Sequence, residues 1–66
     1  MNVVLNGKTV SLTEGITVKG LVDQKSLDPE TIIIEYNFIP LKREQWDGTA
    51  LKEGDRVEIL RFVGGG

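Results

Sequence analysis

The residues best placed to do chemistry in this sequence are three that have no side chains, Gly64, Gly65 and Gly66. At average glycine usage of about 7%, three in a row at a given place arise by chance in roughly 0.03% of sequences. A backbone carboxylate on Gly66 is a poor electrophile until another group replaces one of its oxygens as leaving group. A partner enzyme that uses ATP could install that leaving group as an acyl-adenylate. To be handled in more than one active site, such a tail must thread narrow channels and adopt φ/ψ values that a Cβ forbids. Glycine permits both, at a cost in chain entropy on docking. An expression scar or a frayed end would leave the same residues. Here, however, they follow the last predicted strand with no tag or linker between.

The rest of the inventory offers little competing chemistry. The 66 residues include no cysteine and no histidine. That removes thiol nucleophiles, Ser-His-Asp triads and thiolate or imidazole metal sites. Asp23, Asp28, Asp47, Asp55 and the glutamates recur at no spacing that suggests a paired acid and base. A self-contained enzyme is not expected, nor a cofactor bound by the chain itself. A formal net charge of −2 gives no basic footprint for nucleic acid or anionic lipid. Met1 to Leu5 lacks the basic segment and long apolar run of a signal peptide, and no stretch approaches a membrane span. A cytoplasmic protein, monomeric when free, is the expectation.

The elements that must carry the tail can be read in order. Met1, Val3 and Leu5 alternate with Asn2 and Val4, and Asn6-Gly7 is a strong hairpin signal because both residues tolerate positive φ. Val10 and Leu12 alternate on the return strand. Thr17 is a candidate N-cap, with Ile16 and Leu21 at hydrophobic-staple spacing. Val18, Leu21 and Val22 predict a short helix to about Lys25, which Asp28-Pro29 forbids from continuing. Gly20 within it calls for close packing or simple tolerance. Thr31 to Asn37 is rich in β-branched residues and reads as a third strand. Residues 38–50 read as irregular, with a possible helical turn at Arg43-Glu44-Gln45-Trp46. Lys52-Glu53-Gly54-Asp55 is a tight turn before a last strand, Arg56 to Val63.

This order predicts an α+β domain over residues 1–63, a ubiquitin-like β-grasp of ββαββ type, with residues 64–66 as a flexible tail. One helix lies across one face of a mixed sheet, and a right-handed crossover sets the last strand parallel to the first. If Val57 and Ile59 point at the helix, then Glu58, Leu60 and Phe62 point away from it. Ile33 joins them if the third and last strands are neighbours. Leu60, Phe62, Ile33 and Glu58 are therefore a candidate docking surface beside the tail. A bulge near Arg61 that buries Phe62 is the competing reading. Trp46 is read as cover for a core edge, and the scattered Lys and Arg as solvated charge.

The chain resembles the ThiS family, sulfur carriers of thiamine biosynthesis, along its whole length. The resemblance is carried by Val4-Leu5-Asn6-Gly7-Lys8, Glu14-Gly15, Ile34-Glu35-Tyr36-Asn37, Arg43-Glu44-Gln45-Trp46, Leu51 to Ile59, and Arg61-Phe62-Val63-Gly64-Gly65-Gly66. Family members usually have proline before the arginine of the Arg-Glu stretch. Here Lys42 stands there and Pro40 earlier, which leaves the conformation of that loop open. The resemblance implies that an E1-like adenylyltransferase uses ATP to adenylate Gly66. A sulfur donor such as a cysteine desulfurase then yields a thiocarboxylate, and thiazole synthase receives the sulfur. The small subunit of molybdopterin synthase and a ubiquitin-like protein modifier are the alternative readings.

Overall fold

The computed structural model describes residues 1–62. Val63, Gly64, Gly65 and Gly66, and with them the expected tail, lie outside the described residues.

The first two strands, β1 (Asn2–Leu5) and β2 (Lys8–Ser11), form the antiparallel hairpin expected at Asn6-Gly7. Asn6 and Gly7 have φ of 49° and 82°, the positive values that a two-residue turn of this hand requires. A helix, α1 (Val18–Gln24), follows. The Thr17 hydroxyl accepts from the Gly20 N–H at 3.0 Å, and Val18, Leu21 and Val22 are fully buried. A Cβ on Gly20 would meet Ile16 Cγ1 at 3.0 Å, so close packing of the staple residue explains a glycine inside this helix. The N-terminal end of α1 is held by the segment after Trp46: Val18 N–H donates to Thr49 O, and Leu51 N–H to Ile16 O. Leu27 tucks under the helix exit against the core.

Strand β3 (Ile32–Tyr36) is followed by β4 (Ile39–Leu41) and β5 (Arg56–Arg61). The sheet order is β2-β1-β5-β3-β4, with β1 and β5 parallel and the other pairs antiparallel. This is the expected β-grasp with one strand added. Residues 39–41, expected to be irregular, form a strand although Pro40 cannot donate to a ladder. The structure places Pro40 on the edge strand, where that loss is tolerated. The turn into β4 also lacks the usual glycine: Asn37 and Phe38 occupy positive φ of 50° and 72°.

One apolar layer lies between sheet and helix, built from Val3, Leu5, Ile32, Ile34 and Val57 on the strands and Leu21 and its neighbours above. Trp46 is buried at its edge and donates from Nε1 to Leu41 O at 3.2 Å. The short 3-10 turn Arg43–Gln45 that delivers it is closed by the Gln45 carboxamide, which accepts from the Lys42 N–H.

A single carboxylate ties the far end of the sheet together. Asp55 accepts from Tyr36 Oη at 2.7 Å, from the Lys52 N–H at 2.8 Å and from Asn37 Nδ2 at 3.3 Å. Burial pushes its pKa up, but these hydrogen bonds together outweigh burial and hold it below the ordinary 3.8. The hydrogen bond to Asp55 is the main reason that the Tyr36 phenol sits above its ordinary 10.0, with burial and the carboxylate charge adding to it. A depressed carboxylate pKa gives stability that is present above the unfolded-state value and lost as pH falls through the folded one. The raised phenol pKa sets the upper limit of the same window. Asp55→Asn should cost about 1–3 kcal/mol near neutral pH. Urea unfolding of both proteins at about pH 7 and pH 2.5 checks this, with the gap narrower in acid as the carboxylate begins to protonate; a wider gap in acid would contradict it.

Candidate functional site

The site begins with the placement of β5. It lies between β1 and β3; the β1 ladder holds it at Arg56 and Val57, and the β3 ladder continues to Arg61. Val4 N–H donates to Asp55 O and Asn6 N–H to Val57 O. Beyond this point β1 has turned away into the hairpin, and the Asn6 side chain takes over. Its Oδ1 accepts from the Ile59 N–H at 2.7 Å, and its Nδ2 donates to Ile59 O at 3.3 Å. The carboxamide continues the ladder as a strand residue would. Sequence reasoning assigned Asn6 to the turn alone and missed this second task; only the register of β5 reveals it. On the other side, Phe62 N–H donates to Thr31 O, so the chain is still tied to β3 one residue past the strand.

The alternation along β5 is as expected. Val57 is buried and Ile59 packs against the core, whereas Leu60 and Phe62 stay 48% and 45% exposed. No bulge interrupts the β3–β5 register from Tyr36↔Val57 to Ile32↔Arg61. Ile33 lies directly opposite Leu60 and is also 48% exposed, and Glu35 lies opposite Glu58. The structure therefore brings Ile33, Glu58, Leu60 and Phe62 onto one face, away from the helix. Two carboxylates facing each other repel; the Arg56 Nε, 3.5 Å from Glu58 Oε1 in an ionic contact, offsets part of that.

Phe38 extends the exposed apolar surface beyond what the sequence suggested. It is 73% exposed, and the Arg56 guanidinium lies over its ring at 5.1 Å from the centroid. Among the described residues no group of His, Cys, Asp or Glu could hold a metal ion, and no helix is long and apolar enough to cross a membrane. The geometry thus presents exposed apolar side chains on a strand whose sequence continues to Gly64-Gly65-Gly66, which themselves lie outside the described residues.

Comparison with known proteins places this arrangement. The model of the ThiS family matches residues 3–66. The sulfur carrier protein ThiS of Bacillus subtilis is 33% identical over 63 residues, covering 94% of this chain and 96% of that protein. The crystal structure of the thiamine biosynthesis protein ThiS from Geobacter metallireducens superposes with a TM-score of 0.87 at 38% identity, each chain covered in full. The thiazole synthase of Magnetococcus marinus is 32% identical across all 66 residues, which make up only 20% of that protein. The chain spans about a fifth of the length of the thiazole synthases it matches.

Replacing Asn6 with glycine removes the carboxamide without straining the positive φ. A net hydrogen-bond worth of about 0.5–1.5 kcal/mol predicts up to roughly tenfold faster amide exchange at Ile59 in Asn6→Gly. Exchange at Val10, across the hairpin from the site, should change far less. Equal acceleration at both amides would assign Asn6 to the turn alone.

Proposed function

This chain belongs to the ThiS family of sulfur carriers in thiamine biosynthesis, and we propose that it carries its sulfur as a thiocarboxylate on Gly66. The observation that carries the reading is that the family match runs through residue 66, glycines included. The chain holds no cysteine or histidine, so no thiol or imidazole competes with that carboxylate as the sulfur's carrier.

In this mechanism the Gly66 carboxylate attacks the α-phosphorus of ATP in a partner adenylyltransferase, and pyrophosphate leaves. A hydrosulfide equivalent from a sulfur donor then attacks the acyl carbon, and AMP leaves. The product holds sulfur in place of one carboxylate oxygen. The chain acts as a co-substrate throughout, with the folded domain as handle and Gly64 and Gly65 as the narrow, Cβ-free lead.

Thiazole synthase is the proposed acceptor. In the relatives that bear this name, a stretch alike to the whole present chain is part of the same polypeptide. Such tethering holds a tail near its target at an effective concentration on the order of millimolar. A separate carrier must obtain the same proximity by docking. The face made by Ile33, Glu58, Leu60 and Phe62 is the proposed contact for the adenylyltransferase. An exposed aliphatic pair beside an aromatic residue suits an interface centre, where truncations are most costly.

Intact mass spectrometry after incubation with ATP, the cognate adenylyltransferase and a sulfur donor tests the chemistry. The expected product gains the mass of sulfur less oxygen, and deletion of Gly66 abolishes it. A gain that survives the deletion would place the sulfur elsewhere. Leu60→Asp tests the docking face. Adenylation efficiency should fall at least tenfold, consistent with hot-spot losses of about 2 kcal/mol or more, while thermal stability barely moves. Unchanged adenylation would remove Leu60 from the interface.

A further inference from the structure

The helix side of the sheet carries a second feature, at the end where β5 leaves the domain. A cleft of about 550 Å³ opens there, floored by Leu27, Ile32 and Ile59 among other apolar side chains. Lys8 from β2, Lys25 from the helix C-cap and Arg61 from the end of β5 all line it. Three of the chain's eight basic residues meet here, and none of its ten acidic residues lines the cleft. In a chain of net charge −2 that is a local reversal of sign. Among the described residues, none of the three cations makes an ion pair.

We infer that this cleft docks an acidic segment of a partner protein, with an apolar side chain seated on the floor and carboxylates meeting Lys8, Lys25 and Arg61. A small anion is the poorer fit. Small-ligand sites place a few polar groups inside an enclosing pocket, whereas all three cations here are exposed. Exposed charges around an apolar floor match the anatomy of a protein interface, with its hydrophobic centre and polar rim. Their effect falls on encounter: complementary fields raise association rates by ten- to a thousandfold and fade with salt. The position adds a functional reason. Arg61 pairs with Ile32 on the inner side of the last β3–β5 register, while Leu60 and Phe62 face outward. A partner on the cleft and a partner on the outer face would therefore approach the end of β5 from opposite sides. The inference rests on the sulfur-carrier reading in one respect, that the partner is one of the two enzymes that handle the tail.

Stopped-flow association of the full chain with the cognate adenylyltransferase and with thiazole synthase, at about 50 and 300 mM salt, tests it. For at least one partner, Lys8→Glu/Lys25→Glu should slow association at least tenfold at low salt and flatten the salt dependence, and Lys8→Gln/Lys25→Gln should fall between. Thermal unfolding should be unchanged, because both side chains are exposed. Wild-type rates with both partners at both salt concentrations would overturn the inference while leaving the carrier reading intact. Faster association would also overturn it, since the cations would then be opposing the partner and not attracting it. Failure of the wild-type chain to bind either enzyme would overturn the carrier reading, and the inference with it.

Discussion

The parallel pairing of β1 with β5 is the constraint on which the rest depends. It puts the last strand of the sequence at the centre of the sheet instead of at an edge. That strand's first residues are held by ladders on both sides, and the β3 ladder continues alone to Arg61. The pairing is short, Val4↔Arg56 and Leu5↔Val57, because β1 must turn back at Asn6. The Asn6 carboxamide, bonded to both backbone groups of Ile59, extends the restraint where the backbone no longer can.

So small a domain, without disulfides, has to make its loops contribute to the fold. The stretch from Trp46 to Leu51 fills the edge of the core and supplies partners to the first turn of α1. Asp55 gathers Tyr36, Asn37 and the Lys52 backbone at the opposite end of the sheet. Two motif stretches, Ile34 to Asn37 and Lys52 to Asp55, are thereby joined by hydrogen bonds to one carboxylate. Those bonds fix the start of β5, since Asp55 immediately precedes Arg56.

Much of this was legible in the residues. Asn6-Gly7, the Thr17 cap, the Ile16–Leu21 staple and the run at Ile32–Tyr36 are local signals, and each formed the element it suggested. The outward parity of Leu60 and Phe62 followed from period two once Val57 was taken as core. What escaped was non-local or broke a local rule. Strand β4 is signalled neither by alternation nor by its turn, since Pro40 sits within it and Phe38 takes a position that glycine usually fills. The second task of Asn6 depends on a residue 53 positions away. The meeting of Lys8, Lys25 and Arg61 depends on three separate elements converging at one end of the sheet. Gly64, Gly65 and Gly66 remain read from sequence and family alone.

The two faces of the sheet differ in chemistry near the end of β5. The outer face is apolar near Leu60 and Ile33, and the helix side is basic at the cleft lined by Lys8, Lys25 and Arg61. The central claim is that the reactive group is a backbone carboxylate on Gly66. Thiazole formation reconstituted with adenylyltransferase, sulfur donor and thiazole synthase tests it most directly, comparing the chain ending at Gly66 with one bearing an extra alanine after it. The account predicts sulfur transfer from the first and none from the second. A capped chain shown by mass to be untrimmed, yet still delivering sulfur, would contradict it.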